Sequence, residues 1–191
     1  MKPAHPTIPY TPCMADEPMT ASNTRDITVT PALPHELPII EGMMQFYNYE
    51  LSAYCDIDFN LRGLYTLSPK AVYFSHTTVK PYLLRVDGAV AGFAVVDDEV
   101  VDPASQFNMG YFFIARRYKG QSLASRLAAE MFLRHPGCWE VYHYASNDPA
   151  KHFWVRAIAG AKAHDLVTSD ATSDEHAVVR YLFSIAPPSD V

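Results

Sequence analysis

Alternating strand and helix signals from about Arg25 onward predict an α/β (α+β) domain, a mixed and mostly antiparallel sheet flanked by helices. Three observations carry that prediction. Two apolar runs, 81–86 and 89–96, are joined by Asp87-Gly88, a pair that tolerates the positive φ of a type I′ hairpin turn. Apolar residues recur at helical spacing over 120–134 and again over 147–158. The length of 191 residues, with 49% apolar and 13% aromatic content, suits one domain that buries about 70% of its unfolded surface.

The elements follow in order. Residues 1–24 hold five prolines (Pro3, Pro6, Pro9, Pro12, Pro18) and little apolar periodicity, so a flexible Pro-rich arm is expected, with Met14 and Met19 as alternative starts. A single domain is expected over 25–191. Asp26 to Pro31 reads as a short strand. From His35 to Cys55 the stripe Ile40, Met43, Met44, Tyr47, Leu51 and Tyr54 predicts a helix. Residues 56–79 leave a second short helix or a long loop open. After the hairpin comes an acidic loop (Asp97, Asp98, Glu99, Asp102, Pro103), then an aromatic strand from Gln106 to Ala115. The next helix spans Gly120 to Arg134, and Pro136-Gly137 stops it. Cys138 to Tyr144 is a strand, and Asn147 opens a helix with Pro149 in its first turn. Asp165–Thr168 and Ala177–Ile185 close the domain as a pair of strands.

Composition narrows the function. A net charge of −6 argues against a binder of nucleic-acid backbone. Three cysteines, Cys13, Cys55 and Cys138, share no short spacing, which excludes a disulfide scaffold and suits a reducing compartment. The longest apolar run, Ala89 to Val96, is far below the roughly 18 residues of a membrane span. No charged-then-apolar segment opens the chain, so a cytoplasmic protein with no membrane partner is expected. The glycines form no Walker A or GxGxxG, and no GxSxG elbow occurs. The eight histidines form no HExxH, so no metal is expected; Asp56 and Asp58 read as a solvated loop rather than a cation site.

One segment carries chemistry. Phe112-Phe113-Ile114-Ala115-Arg116-Arg117-Tyr118-Lys119-Gly120-Gln121-Ser122-Leu123-Ala124 reads as a strand, a basic turn and a helix start. Arg116, Arg117 and Lys119 crowd three cations into four positions of an acidic chain. Small residues at 120, 122 and 124 let a ligand approach the backbone. The N–H groups and positive dipole of a helix start form a cradle for phosphate. A glycine-capped solvated turn would look the same. After the next strand comes Asn147-Asp148-Pro149-Ala150-Lys151-His152-Phe153-Trp154.

Together these pieces resemble the GCN5-related N-acetyltransferase (GNAT) superfamily, whose acetyl-CoA site is a strand, a [Q/R]-x-x-G-x-[G/A] loop and a helix, followed by a strand and an N-x-x-A-x-x-F-[Y/W] helix. The resemblance extends from about residue 26 to 185. With Ile39 to Asp58 and the 86–93 hairpin, it looks like a branch of bacterial predicted acetyltransferases of unassigned substrate. It implies a GNAT-like sheet whose splayed central strands hold acetyl-CoA as co-substrate. It also implies a cofactor site made of Phe112, Phe113, Ile114, Lys119, Gly120, Gln121, Ser122, Leu123, Ala124 and Asn147. Lys119 stands where the family has Arg or Gln, and Ser122 where it usually has Gly; Lys keeps the charge but lacks a planar fork.

The resemblance implies transfer of an acetyl group to a primary amine of a small molecule or peptide, directly in a ternary complex. The family commonly takes a proton acceptor from a strand Glu and a donor from a Tyr. Here Tyr111 and Tyr142 occupy the strand positions and Trp154 the donor position. The catalytic candidates are therefore Tyr142 and Tyr111, with a water relay to Glu140 and catalysis by positioning alone as alternatives. His143 alternates away from Tyr142 and is expected to be structural. The acceptor pocket is expected to draw on Tyr47, Tyr49, Glu50, Tyr54, Asp56, Asp58 and Tyr65, aromatics and carboxylates suited to a cationic amine. The same fold could serve as a non-catalytic acyl-CoA sensor, or as an interaction module without cofactor. A homodimer is left open.

Overall fold

The computed structural model describes residues 25–67, 76–173 and 175–187. The arm expected over 1–24 and part of the 56–79 segment lie outside the described residues. A seven-stranded sheet runs in the order β1-β2-β3-β4-β5-β7-β6. Its strands are β1 (Ile27–Pro31), β2 (Lys80–Val86), β3 (Ala89–Asp97), β4 (Phe107–Ile114), β5 (Gly137–Tyr144), β6 (His164–Ser173) and β7 (His176–Ile185). Every pairing is antiparallel except β4 with β5. The helices are α1 (Leu37–Leu51), α2 (Leu123–Arg134) and α3 (Asp148–Gly160), none of them long and apolar enough to cross a membrane.

The predicted hairpin forms as its turn residues require: Asp87 (φ 51°) and Gly88 (φ 77°) both take positive φ and join β2 to β3. Two boundaries move for local reasons. The helix expected from Gly120 begins at Leu123, because Gly120 (φ 77°) and Ser122 (φ 59°) are left-handed and cannot enter an α-helix. The strand expected at Asp165–Thr168 spans His164–Ser173. It is an exposed edge strand paired to β7 through its backbone, so it needs no apolar alternation and shows none.

Two cores flank the sheet. The larger one packs Leu127, Met131 and Phe132 of α2 and Trp154 and Ile158 of α3 against Trp139, Val141 and Phe183. The smaller one packs Ile40 and Met44 of α1 against Leu83, Phe93, Val95 and Phe113. Within the larger core the Tyr82 hydroxyl lies 2.8 Å from Nε2 of His135, while Nε1 of Trp139 donates to the His135 carbonyl at 2.8 Å. Burial, then the charges of Lys80 and Arg134, push the His135 imidazole down to about 4, so it stays neutral and accepts from Tyr82. A His whose folded value lies below its unfolded one stabilises above about pH 6.5, and that contribution is lost as pH falls toward 4. The melting temperature is therefore expected to fall over that window. In His135→Gln, which cannot charge, the fall should flatten; an equal slope in calorimetry would exclude His135 as its source.

Candidate active site

Strand β4 is irregular, and the irregularity shapes the site. Val95 pairs with Tyr111 but Val96 pairs with Met109, which leaves Gly110 as an extra residue, a bulge. One extra residue inverts the alternation of faces. Phe107 and Met109 pack toward α2 and α3, yet beyond the bulge it is Phe112 and Ile114 that do so, while Tyr111 and Phe113 turn to α1. A Cβ at 110 would sit 2.0 Å from Oδ2 of Asp97, so any other residue here would force that carboxylate to shift.

Strands β4 and β5 pair only at Phe107–Trp139 and Asn108–Glu140 and then part. From that apex a cleft of about 790 Å3 passes through the sheet. Its walls are Met109, Gly110 and Phe112–Ile114 of β4, Tyr142–Tyr144 of β5, and Asn147, Pro149, Ala150, Phe153 and Trp154 at the start of α3. The ring of Phe112 stacks on Phe153 with centroids 5.2 Å apart and meets Trp154 edge-on at 5.1 Å. Arg116, Lys119, Gly120, Ser122, Leu123 and Ala124 line one part of the cleft, and Tyr47, Tyr49 and Glu50 of α1 with Tyr54 just beyond line another.

The structure thus gathers most of the residues singled out from the sequence, and sorts the rest. Lys119 bonds both oxygens of Glu50, at 2.8 and 2.7 Å, linking the basic turn to α1 across the cleft. Arg117 turns outward over the ring of Tyr118, 5.6 Å from its centroid. Gln121 also turns outward: its amide donates to the Arg117 carbonyl at 3.0 Å and accepts from Arg25. Asn147 caps α3 by accepting the Ala150 N–H at 3.1 Å, and it lines the cleft as well.

Tyr142 is 41% exposed and lines the cleft, whereas Tyr111 stands off it and packs edge-on against Tyr47 at 5.4 Å. Burial, then the phenols of Tyr142, Tyr111 and Tyr144 and the thiol of Cys55, push the Tyr47 hydroxyl far above the ordinary phenol range. It therefore donates hydrogen bonds and does not ionise. His143 is buried on the opposite face, as alternation requires. Its Nδ1 donates to the Tyr144 carbonyl at 2.8 Å, which leaves Nε2 to accept from Tyr181 at 3.2 Å. Asp56, Asp58 and Tyr65 do not border the cleft. Tyr65 is buried, with its N–H given to Gln45 at 2.8 Å and its ring on Phe59 at 4.6 Å.

By sequence, Asp97 is expected in an acidic loop. It is instead the last residue of β3 and 5% exposed. Its Oδ1 accepts from Nδ2 of Asn108 at 2.9 Å and from the Glu99 N–H at 3.1 Å. Burial pushes its carboxyl up to about 6 against those two bonds. A sequence signal existed, an acid continuous with an apolar strand, but nothing local tied it to Asn108 and Gly110. Among the described residues no three His, Cys, Asp or Glu converge as metal ligands.

A sheet split between its parallel strands, with a helix N-terminus at the mouth of the split, is an acetyltransferase fold. The chain belongs to the acetyltransferase (GNAT) family, whose pattern matches residues 44–159. Solved structures share the fold at low identity. An acetyltransferase from Thermus thermophilus has a TM-score of 0.57 and 13% identity, over 83% of this chain and 97% of that one. A GNAT-family acetyltransferase from Streptococcus pneumoniae scores 0.57 at 15% identity, over 84% and 100%. Spermidine N-acetyltransferase from Vibrio cholerae, solved with CoA and spermine, scores 0.56 at 11% identity, over 83% and 95%. No curated protein matches the sequence.

Proposed function

We propose that the protein is an acetyl-CoA-dependent N-acetyltransferase that moves the acetyl group to a primary amine of a small molecule or peptide, directly in a ternary complex. The observation that carries this reading is the cleft itself. It runs without a break from the helix N-terminus at Ser122–Ala124, past the split of β4 and β5, to the tyrosines of α1. Two substrates bound along it would meet at the split.

Each wall has a use. The edge of β4 that β5 leaves at Phe112, Phe113 and Ile114 offers backbone groups to the extended amide arm of the cofactor, as a strand edge offers them to a peptide. The N–H groups of Gly120 to Ala124 and the dipole of α2 suit the pyrophosphate, with Arg116 and Lys119 supplying charge. Gln121 would contribute through its backbone, since its side chain is engaged outside the cleft. Asn147 accepts through its carbonyl oxygen and keeps its Nδ2 as a donor for the cofactor. Tyr142, in the cleft, is the better placed of the two tyrosines to give the departing thiolate a proton; Tyr111 positions Tyr47. Beside the end of α1, Tyr47, Tyr49 and Tyr54 suit a cation by their ring faces, and Glu50, paired to Lys119, adds a carboxylate. The spermine of the Vibrio cholerae structure is an amine of that kind.

Thermal unfolding with acetyl-CoA, with NADH as control, tests the site. Ligand at 100 times its Kd stabilises by about 2.7 kcal/mol, a rise of several degrees for a chain of this size. A rise with acetyl-CoA alone, followed by thiol release with an amine panel including spermine and a lysine peptide, supports the reading. Binding without thiol release for any amine favours the acyl-CoA sensor, which Trp154 in place of the family's tyrosine motivates. No rise at millimolar ligand removes both.

A further inference from the structure

Three polar side chains lie buried in one row across the middle of the sheet: Asp97 of β3 pairs with Asn108 of β4, which pairs with Glu140 of β5. Their strand neighbours Val96, Met109, Trp139 and Val141 all pack toward α2 and α3, so alternation turns the row to the α1 face, the side of Tyr47, Tyr111 and Tyr142. Buried polar groups that fold stability alone would replace by apolar ones call for an explanation. Glu140 has a structural one, because its carboxylate accepts the Val101 and Asp102 N–H groups at 3.2 and 3.0 Å and braces the β3–β4 loop.

For Asp97 such bonds account for only one of its two oxygens. Its Oδ1 is held by two donors, but its Oδ2 takes no hydrogen bond among the described residues. That oxygen lies where the side chain of residue 110 would be; Asp97 and Asn108 do not themselves border the cleft, but the Gly110 backbone that Oδ2 abuts does. Beside it, Oδ1 of Asn108 is buried with no partner among the described residues, an acceptor left for a water or an amine. The bulge, the missing side chain and the carboxylate coincide at the level where β4 and β5 part.

We propose that Asp97 accepts the proton that an ammonium substrate must lose before it can attack the thioester, an inference that rests on the N-acetyltransferase reading above. The ammonium passes one proton to Oδ2 through one water beside Gly110, leaving a neutral amine and a neutral carboxylic acid. The amine lone pair forms the C–N bond while the C–S bond breaks. The thiolate takes a proton from Tyr142 and leaves as the thiol, the nitrogen's second proton restores the Tyr142 hydroxyl, and Asp97 returns its proton to solvent. Tyr47, held protonated, cannot do this, and Glu140 holds the Val101 and Asp102 N–H groups.

The charged groups around Asp97 are Asp98 and Glu99 on its own loop and Glu140 beyond Asn108 on β5; the Lys80 ammonium lies over the Phe107 ring on the other face of the sheet. Burial, with the carboxylates of Glu99 and Asp98, raises the Asp97 carboxyl to about 6, so the base form prevails at neutral pH. A carboxyl raised on folding stabilises only below its unfolded value, and that contribution is lost as pH rises through about 6. Asp97→Asn keeps the shape and the two Oδ1 bonds and cannot ionise. It should therefore melt above the wild type at pH 8.

The test compares an alkylamine, which is charged at pH 7, with an alkoxyamine, which is already neutral there. Acetyl-CoA affinity, measured by calorimetry, should be alike in wild type and Asp97→Asn. With the alkylamine, kcat/KM of the variant should fall about 100-fold or more and lose its acidic limb near pH 6. With the alkoxyamine it should change by only a few fold, as the step is no longer needed. An equal fall for both amines, or no fall for either, overturns the proposal while leaving the acetyltransferase reading intact. In the wild type alone, an acidic limb shared by both amines also overturns it. A wild type that fails to bind acetyl-CoA overturns both.

Discussion

Trp139→Ala is expected to cost about 4 kcal/mol, which brings a domain of ordinary stability close to unfolding at room temperature. The indole is fully buried, edge-on to Phe132 with centroids 4.9 Å apart and tilted on Phe107 at 5.4 Å. Truncation leaves a large cavity in a core that α2, α3 and the sheet close from all sides, so relaxation can fill little of it. It also strands the His135 carbonyl, which Nε1 now satisfies, at a further ~1 kcal/mol. The position matters for the site too. Trp139 stands in the register opposite Phe107, one of the two pairs that hold β4 to β5. Losing it loosens the apex from which the cleft opens. Urea unfolding measures this directly: a loss below about 2 kcal/mol would mean that the core recloses around the gap. Trp139→Phe, which keeps ring packing and loses the donor, should retain most of the stability.

Lys119→Glu is expected to weaken acetyl-CoA binding about 100-fold with little change in the melting temperature. The ion pair of Lys119 with Glu50 is half exposed on the lysine side, and pairs of that kind contribute ~0–1 kcal/mol to stability. In the bound state the same ammonium faces the cofactor's phosphates by the reading above, where a charge-assisted hydrogen bond contributes about 1.5–3 kcal/mol. Reversal removes that contribution and sets two carboxylates, 50 and 119, facing each other at the mouth. Calorimetric titration with acetyl-CoA decides it. An unchanged Kd would remove Lys119 from the cofactor site and leave Arg116 as the cation there. Glu50→Gln makes the converse measurement: it frees Lys119 from its partner and should tighten acetyl-CoA modestly. No tightening would mean that the pair does not compete with the cofactor.

The order of strands and helices, the Asp87-Gly88 hairpin and the basic turn before α2 are all local properties, and the sequence alone was enough for them. Each depends on residues within a few positions of one another: a period of apolar side chains, a pair tolerant of positive φ, an asparagine three residues before the N–H it caps. Family membership was legible for the same reason, since the turn and the α3 start are compact stretches of chain. What only the tertiary structure decided depends on register. The bulge at Gly110 arises from how β4 lies against β3, and it turns Tyr111 to α1 and leaves Tyr142, of the two candidate catalytic tyrosines, in the cleft. Asp97 and Asn108 are eleven residues apart and read as loop and strand; pairing across β3 and β4 buries them together and sets Oδ2 against a missing side chain. Gln121 sits in the middle of the basic turn, yet a left-handed Gly120 and Ser122 on either side turn its amide outward to Arg117 and Arg25. Periodicity says which face a side chain takes along a regular strand; one inserted residue reverses that answer, and the insertion shows only against the neighbouring strand.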